Sequence, residues 1–524
     1  MLEQEQNSQL SQTLAAIDIG SNSIRMTVGQ LLSDGTVDII ERANRPVRLG
    51  QDCFRYFRLM PATMRAAINI LREFKRRIDE YQVKHIWTVA TNAVREARNA
   101  DVFLDRILMA CGLEAQIIDA SQERRITVSA VRAALNDKPL DFGGSQALIC
   151  EVGGGSTMMT IMRHDKLISS QSLVLGSIRI QEVLGTAGRS IVQAADLIEN
   201  EIESALASVE SLVPLARVGV FIAVGADARF TAAQIGVPTE NPKFHRIARR
   251  TFEEFVRRNR QLSVEQLALQ SDIPYSDAET MLPALLIFQS LLRLTRAKEI
   301  IVPSVSMRDG LLLELSRRCR GQVDESIAQE AVQSAMALAE KYRVNLHHAR
   351  RVADCALRLY DEMKTVHGLG FRPRLLLEAA ALLHECGAFV STRAYHKHTY
   401  YLVANSEIYG LTPNEVVTVA HIARYHRRSS PKASHLEYTA LPQESRILVN
   451  KLAAILRLAK ALDITDIRQI DRIHCRLDQD SVRIQVPDLS NESLVKQSVE
   501  MRSSLFEDVF GLNLELEPLP EQTK

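Results

Sequence analysis

The sequence predicts an α/β chain followed by a separate all-helical region, and three observations carry that expectation. Short aliphatic runs alternate with longer amphipathic stretches up to about residue 320. The alternation stops near Glu325, and a two-residue period of apolar positions returns only at Val482, Ile484 and Val486. The runs Ala15 to Ile19, Ile86 to Ala90, Ala147 to Val152, Val218 to Val224 and Glu299 to Val302 read as buried strands, and Met64 to Tyr81 as a helix between two of them. Beyond Glu325 the pattern is helical in Ser326 to Lys341, His347 to Met363 and Leu375 to Leu383. The expected division is a disordered lead over 1–13, two α/β lobes over 14–138 and 139–320, a helical domain over 325–470 and a small mixed appendage over 471–524.

With 524 residues, 46% hydrophobic and 24% charged, the chain is long enough for several packed cores. Lys and Arg number 64 against 63 Asp and Glu, so bulk charge offers nothing to nucleic acid or an anionic membrane. The seven cysteines are scattered, with no C-x-x-C, which argues against a disulfide framework or a zinc ribbon. The start MLEQEQNSQLSQT lacks a basic n-region and an apolar stretch, so a cytoplasmic location with no membrane partner is expected.

One internal repeat carries chemistry. Residues 18–28, DIGSNSIRMTV, lie over residues 151–161, EVGGGSTMMTI, without a gap: Asp18 over Glu151, Gly20 over Gly153, Ser23 over Ser156, Met26 over Met159, Thr27 over Thr160. Each copy leaves one apolar strand and enters another, so each reads as a hairpin turned by small residues. Gly20, Ser21, Asn22 and Ser23 in one turn, and Gly153, Gly154, Gly155 and Ser156 in the other, can bring backbone N–H groups and hydroxyls to an anion. The acid at each strand end, Asp18 or Glu151, can bind a metal directly or through water. Two ordinary hairpins would explain either turn alone; the in-register duplication favours a phosphate clamp. No Walker or dinucleotide fingerprint is present.

With ATNAVREARNA (90–100), IDASQERR (118–125), LGSIRI (175–180) and MRDGLLLEL (307–315) in the same order, the chain resembles the exopolyphosphatase / guanosine pentaphosphate phosphohydrolase family over roughly residues 14–470. The resemblance implies two actin-like (ribonuclease H-like) lobes around a phosphate cleft, a homodimer, and hydrolysis of the terminal phosphate of inorganic polyphosphate or of guanosine pentaphosphate. It also implies Mg²⁺, with Mn²⁺ as the alternative ion, at Asp18 and Glu151. Glu123 aligns with the family's water-positioning base, Arg95 with a cleft arginine, and Arg179 and Arg308 with phosphate-binding positions. Ser121 is expected to cap the SQERR helix, which would place Glu123 in its first turn as an ionised carboxylate.

The chain departs from the family pattern where Glu151 replaces Asp, Met158 and Gln122 each replace Glu, and 224–229, VGADAR, replaces a G-x-S-G-T turn. A sensor that binds polyphosphate or an alarmone without cleaving it is therefore the alternative of a different class. An actin-like kinase fits less well, because the SQERR helix and the helical region match the hydrolases.

Nine of the thirteen histidines lie between His347 and His435. His348, His384-Glu385, His398, His421 and His426 resemble an HD-type metal phosphohydrolase core, but Glu385 stands for the paired Asp and Lys460 for the late one. A lysine is electrostatically hostile to a bound cation, so a packed structural role is expected for His384. Arg424, His426, Arg427, Arg428 and Lys432 are expected to form a basic strip that guides polyphosphate.

Overall fold

The computed structural model describes residues 12–135, 145–163, 166–184, 191–210, 213–321, 325–427, 429–463, 470–486 and 492–519. The chain divides into two compact units, 1–324 and 325–524.

In the first unit, β1 (Gln12–Ile19), β2 (Ser23–Leu31), β3 (Val37–Pro46), β4 (His85–Ala90) and β5 (Ala115–Ile117) form a sheet of order β3-β2-β1-β4-β5. The second sheet contains β6 (Gln146–Val152), β7 (Thr157–Arg163), β8 (Lys166–Leu173), β9 (Val218–Val224), β10 (Val237–Pro238), β11 (Phe244–Ala248) and β12 (Glu299–Pro303), in the order β10-β11-β12-β9-β6-β7-β8. The repeat is thus carried by whole sheets. β1 pairs antiparallel with β2 and parallel with β4, and β6 pairs antiparallel with β7 and parallel with β9.

Both faces of β1 are covered, which explains its unbroken apolar run. Ala15, Ile17 and Ile19 pack with Met64, Leu71 and Phe74 of helix Pro61–Glu80, while Leu14 and Ala16 pack with Leu311 and Leu312 of helix Met307–Cys319. That last helix corrects the expected lobe boundary: it follows β12 of the second sheet but packs on the first. Helix Ala120–Ala134 spans both lobes, with Ile126 in the first core and Val128 and Val131 against Ala147 and Ile149 of the second. Of the expected lead, residues 1–11 lie outside the described residues, as does the expected lobe junction at 138–139, and Gln12 and Thr13 open β1.

The second unit is a helical bundle with a three-stranded sheet, β13 (His474–Leu477), β14 (Ser481–Val486) and β15 (Asn513–Pro518), in the order β13-β14-β15. Val482, Ile484 and Val486 and the helix residues Val495 and Phe506 share one core with Leu377, Ile455 and Leu458 of the bundle. The expected appendage over 471–524 is therefore continuous with the helical domain rather than separate from it.

Candidate active site

The duplicated hairpins meet. In the first, Asp18 is paired in register with Arg25 across β1 and β2; in the second, Glu151 occupies the same place opposite Met158 across β6 and β7. Both turns close with the same bond, Gly20 N–H to Ser23 O at 3.1 Å and Gly153 N–H to Ser156 O at 2.9 Å. A Cβ on either glycine would stand 3.2 Å from that carbonyl oxygen, which is why each copy begins its turn with glycine. A Cβ on Gly154 would lie 3.1 Å from Ser21 Cβ, so the two bends face each other at contact distance. Among the described residues, the N–H groups of Ser21, Asn22, Gly154 and Gly155 donate to no carbonyl, which leaves them for an anion.

The cleft between them is lined by all eight turn residues together with Asp18, Arg25, Glu123, Glu151, Asp227 and Asp277, among others. Its carboxylates outnumber its cations. Burial raises the pKa of Asp18 and of Glu151, against the lowering effects of Arg25 and Arg308 on the first and of Thr127 on the second. Thr127 donates its hydroxyl to Glu151 Oε2 at 2.8 Å. Arg25 approaches Asp18 Oδ2 only to 3.9 Å, and Asp18 Oδ1 is buried with no hydrogen-bond partner. One buried and two half-buried acids, with an orphaned carboxylate oxygen, make a donor set in one cleft suited to a hard divalent cation.

Glu123 lies in the same cleft, and burial pushes its pKa up to about 7; Arg95 opposes that shift, and Glu151 and Asp18 add to it. Two expectations are corrected here. The helix is capped by Asp119, whose Oδ1 accepts from Ser121 N–H and Gln122 N–H at 2.7 and 3.0 Å, while Gln122 closes a capping box back to Asp119 N–H. Ser121 is inside the helix, Glu123 N–H is already bonded to Asp119 O at 3.0 Å, and the Glu123 carboxyl is poised near neutrality rather than fully ionised. Gln122, a departure from the family pattern, has the capping role.

Arg95 does not line the cleft itself. Its Nη1 donates to Ile118 O at 2.6 Å and to Glu123 Oε2 at 3.4 Å, so it holds the glutamate from behind. Arg179 is not aimed at the cleft either. It donates to both oxygens of Glu96 at 2.6 Å and to Gly155 O at 2.7 Å, and stacks 4.1 Å from the Phe54 ring centroid. These partners come from both lobes, so Arg179 is a brace across them that fixes the second turn. Arg308 is buried behind Asp18 and donates to Ala43 O at 3.4 Å, with burial lowering its pKa to about 10.

Sequence reasoning missed Arg25, Thr127 and Asp277, and met Asp227 only within the VGADAR departure at 224–229. Arg25 was legible: it overlays Met158 in the repeat, directly across from the first-strand acid. Asp277 lies in the first turn of helix Tyr275–Arg293 and carries no motif.

In the helical unit the expected basic strip is only partly exposed among the described residues. His426 is fully buried, with Nε2 3.1 Å from Tyr395 Oη. Arg424 is mostly covered, 3.5 Å from Glu437 and stacked near Tyr400 and Tyr425. Arg427, over the Tyr395 ring, and Lys432 are the exposed described members. Arg428 lies outside the described residues.

Comparison with known proteins agrees with this architecture. The Ppx/GppA phosphatase family matches residues 30–318, and its domain III matches residues 331–503. A guanosine-5'-triphosphate,3'-diphosphate pyrophosphatase of Photobacterium profundum is 23% identical over 459 residues, covering 86% of each chain. One from Aeromonas hydrophila is 24% identical over 486 residues, covering 90% of this chain and 92% of its own. The crystal structure of an exopolyphosphatase from Cytophaga hutchinsonii shares the fold at a TM-score of 0.52 and 18% identity, over 60% of this chain and 99% of that one. Two actin-like lobes with a helical third domain, and the family match across both units, make this chain a member of the Ppx/GppA phosphatase family.

Proposed function

We propose that the chain hydrolyses a terminal phosphoanhydride bond, releasing orthophosphate by in-line attack of water. The observation that carries this reading is the contact of the twin glycine turns around a cleft that also holds the Glu123 carboxyl. The free N–H groups of Ser21, Asn22, Gly154 and Gly155 bind the terminal phosphate oxygens, with the Ser23 and Ser156 hydroxyls beside them. Glu123 orients water and takes its proton, and a pKa near 7 suits a base at neutral pH. Arg95 fixes the orientation of that carboxyl. Asp18 and Glu151 would hold Mg²⁺ or Mn²⁺, which when bound supplies neutralisation of the phosphate oxygens.

Inorganic polyphosphate is the substrate the sequence pointed to. Guanosine pentaphosphate is the second reading. It is favoured by the names of two relatives that align over nearly nine-tenths of this chain and by the covering of His426 and Arg424, two members of the expected polyphosphate track. A cytoplasmic homodimer completes the proposal. Seven free cysteines support the compartment and not the dimer, and among the described residues no helix is long and apolar enough to cross a membrane.

The test is phosphate release from polyphosphate of defined length and from guanosine pentaphosphate, each with Mg²⁺, with Mn²⁺ and with chelator. Cation-dependent release from either supports hydrolysis, and the larger kcat/KM assigns the substrate. Tight binding of both without release would convert the reading to a sensor.

A further inference from the structure

The helical unit gathers a second set of ligating atoms around a lysine. His348 near the start of helix Leu346–Glu362, His384 at the end of helix Phe371–Leu383 and the adjacent Glu385 each present an atom, all within 4.8 Å of one another. The tautomers are set by what the other ring nitrogens touch. His384 Nδ1 lies 2.6 Å from Ala381 O, and a carbonyl can only accept, so Nδ1 carries the proton. His348 Nδ1 lies 2.7 Å from Asp463 Oδ2, which gives the same assignment. In the neutral rings the Nε2 atoms carry the lone pairs, at 3.6 Å (His384) and 3.8 Å (His348) from Glu385 Oε1. His384 Nε2 is completely buried and has no hydrogen-bond partner. Imidazoles that donate outward from Nδ1 and point bare Nε2 atoms at a carboxylate are arranged as metal ligands are.

A cation is already there. Lys460, in the last turn of helix Gln443–Leu462, places Nζ 2.6 Å from the same Glu385 Oε1 and 3.1 Å from Tyr395 Oη. We propose that the Lys460 ammonium is a tethered replacement for a divalent transition metal in a His348/His384/Glu385 site, and that removing it turns this into a site for Zn²⁺ or Co²⁺. Two imidazoles and one carboxylate form a familiar three-ligand zinc set with positions left for water. Ligand atoms on zinc lie about 2.0–2.1 Å from the metal, so the present set would contract by about an ångström to close on it. In the native chain the ammonium satisfies Glu385 without a metal, which makes this end of the bundle indifferent to chelators.

The experiment compares full-length wild type, Lys460→Met, Lys460→Arg and the double variant Lys460→Met/His384→Ala. Each is loaded with Co²⁺ or Zn²⁺ and desalted, then read by bound metal per chain and by the visible bands of Co²⁺. Subtracting the double variant removes metal held in the phosphate cleft. The expected result is about one extra equivalent in Lys460→Met, with histidine-ligated Co²⁺ bands, and none dependent on His384 in wild type or Lys460→Arg. His384-dependent metal in wild type would overturn the replacement, and a folded Lys460→Met that gains no metal would overturn the site. If Lys460→Met fails to fold, Lys460→Gln, which keeps a donor for Tyr395, is read by the same criteria.

Discussion

The phosphate cleft and the histidine cluster both bury several ionisable groups, but they balance charge in opposite ways. In the cleft, burial raises the pKa values of Asp18, Glu123 and Glu151 despite the arginines around them, and one Asp18 oxygen has no partner. In the cluster, Glu385 is met by Lys460 and Asp463 by Arg351 and His348. Burial works the other way, yet the Lys460 ammonium, by its charge and its hydrogen bond, holds Glu385 below the usual glutamate range. Uncompensated charge costs stability and is found where a ligand can repay it, while compensated charge holds helices together.

Neutralising the first region should have the largest effect. Asp18→Asn removes the orphaned oxygen from the cation set, and turnover is expected to fall about 10³-fold or more, with the metal requirement shifted to higher concentration. Turnover within tenfold of wild type would break the contrast. Arg95→Met should cost roughly 10- to 100-fold in kcat with little change in KM, because it holds Glu123 rather than substrate. Arg95→Lys should recover part of that loss, since one nitrogen, Nη1, makes both contacts and an ammonium on a shorter arm can supply one of them.

Stability should move in opposite directions in the two regions. Lys460→Met leaves Glu385 without its cation and should lower unfolding free energy by about 1–3 kcal/mol. Glu123→Gln removes a carboxyl that burial disfavours and should leave stability unchanged or raise it by about 1 kcal/mol. Denaturant melts of the two variants check both signs.

The pH dependence sharpens the same point. Glu123 has a folded pKa raised to about 7 from 4.5, so the folded chain holds its proton more tightly than the unfolded chain does. Its contribution to stability is therefore full below about 4.5 and declines as pH rises towards about 7. Over that window the stability gap between wild type and Glu123→Gln should widen in favour of the variant. Activity runs the other way, rising with pH as the base ionises and levelling above about 7. A bound cation at Asp18 and Glu151 moves that midpoint down.

The parts of the fold and site written as periodicity were legible in the sequence. The strand runs, the change to helical pattern near Glu325 and the overlay of 18–28 on 151–161 all rest on local spacing, and spacing alone put Asp18 and Glu151 at equivalent places. Groups whose meaning depends on long-range partners were not legible. Arg179 matched a motif position, but its role as a brace comes from Glu96 and Phe54, far away in sequence. Ser121 looked like a cap because hydroxyls commonly are, yet Asp119 two residues earlier takes that place with Gln122. His426 belonged to a basic run in one dimension and to the core in three, because it occupies the turn just after helix Pro413–Arg424, where the chain folds back against Tyr395. Helix Met307–Cys319 crosses to the first sheet, and no local pattern records such a crossing.

The most direct test of the account is the rate of phosphate release by Glu123→Gln under saturating Mg²⁺ and substrate, with substrate affinity measured alongside. A fall of about 10³-fold or more with affinity kept within a few-fold is predicted, because the water would lose its base while the twin turns still grip the phosphate. A variant that releases phosphate within tenfold of wild type, with the same rise in rate towards neutral pH, would contradict it.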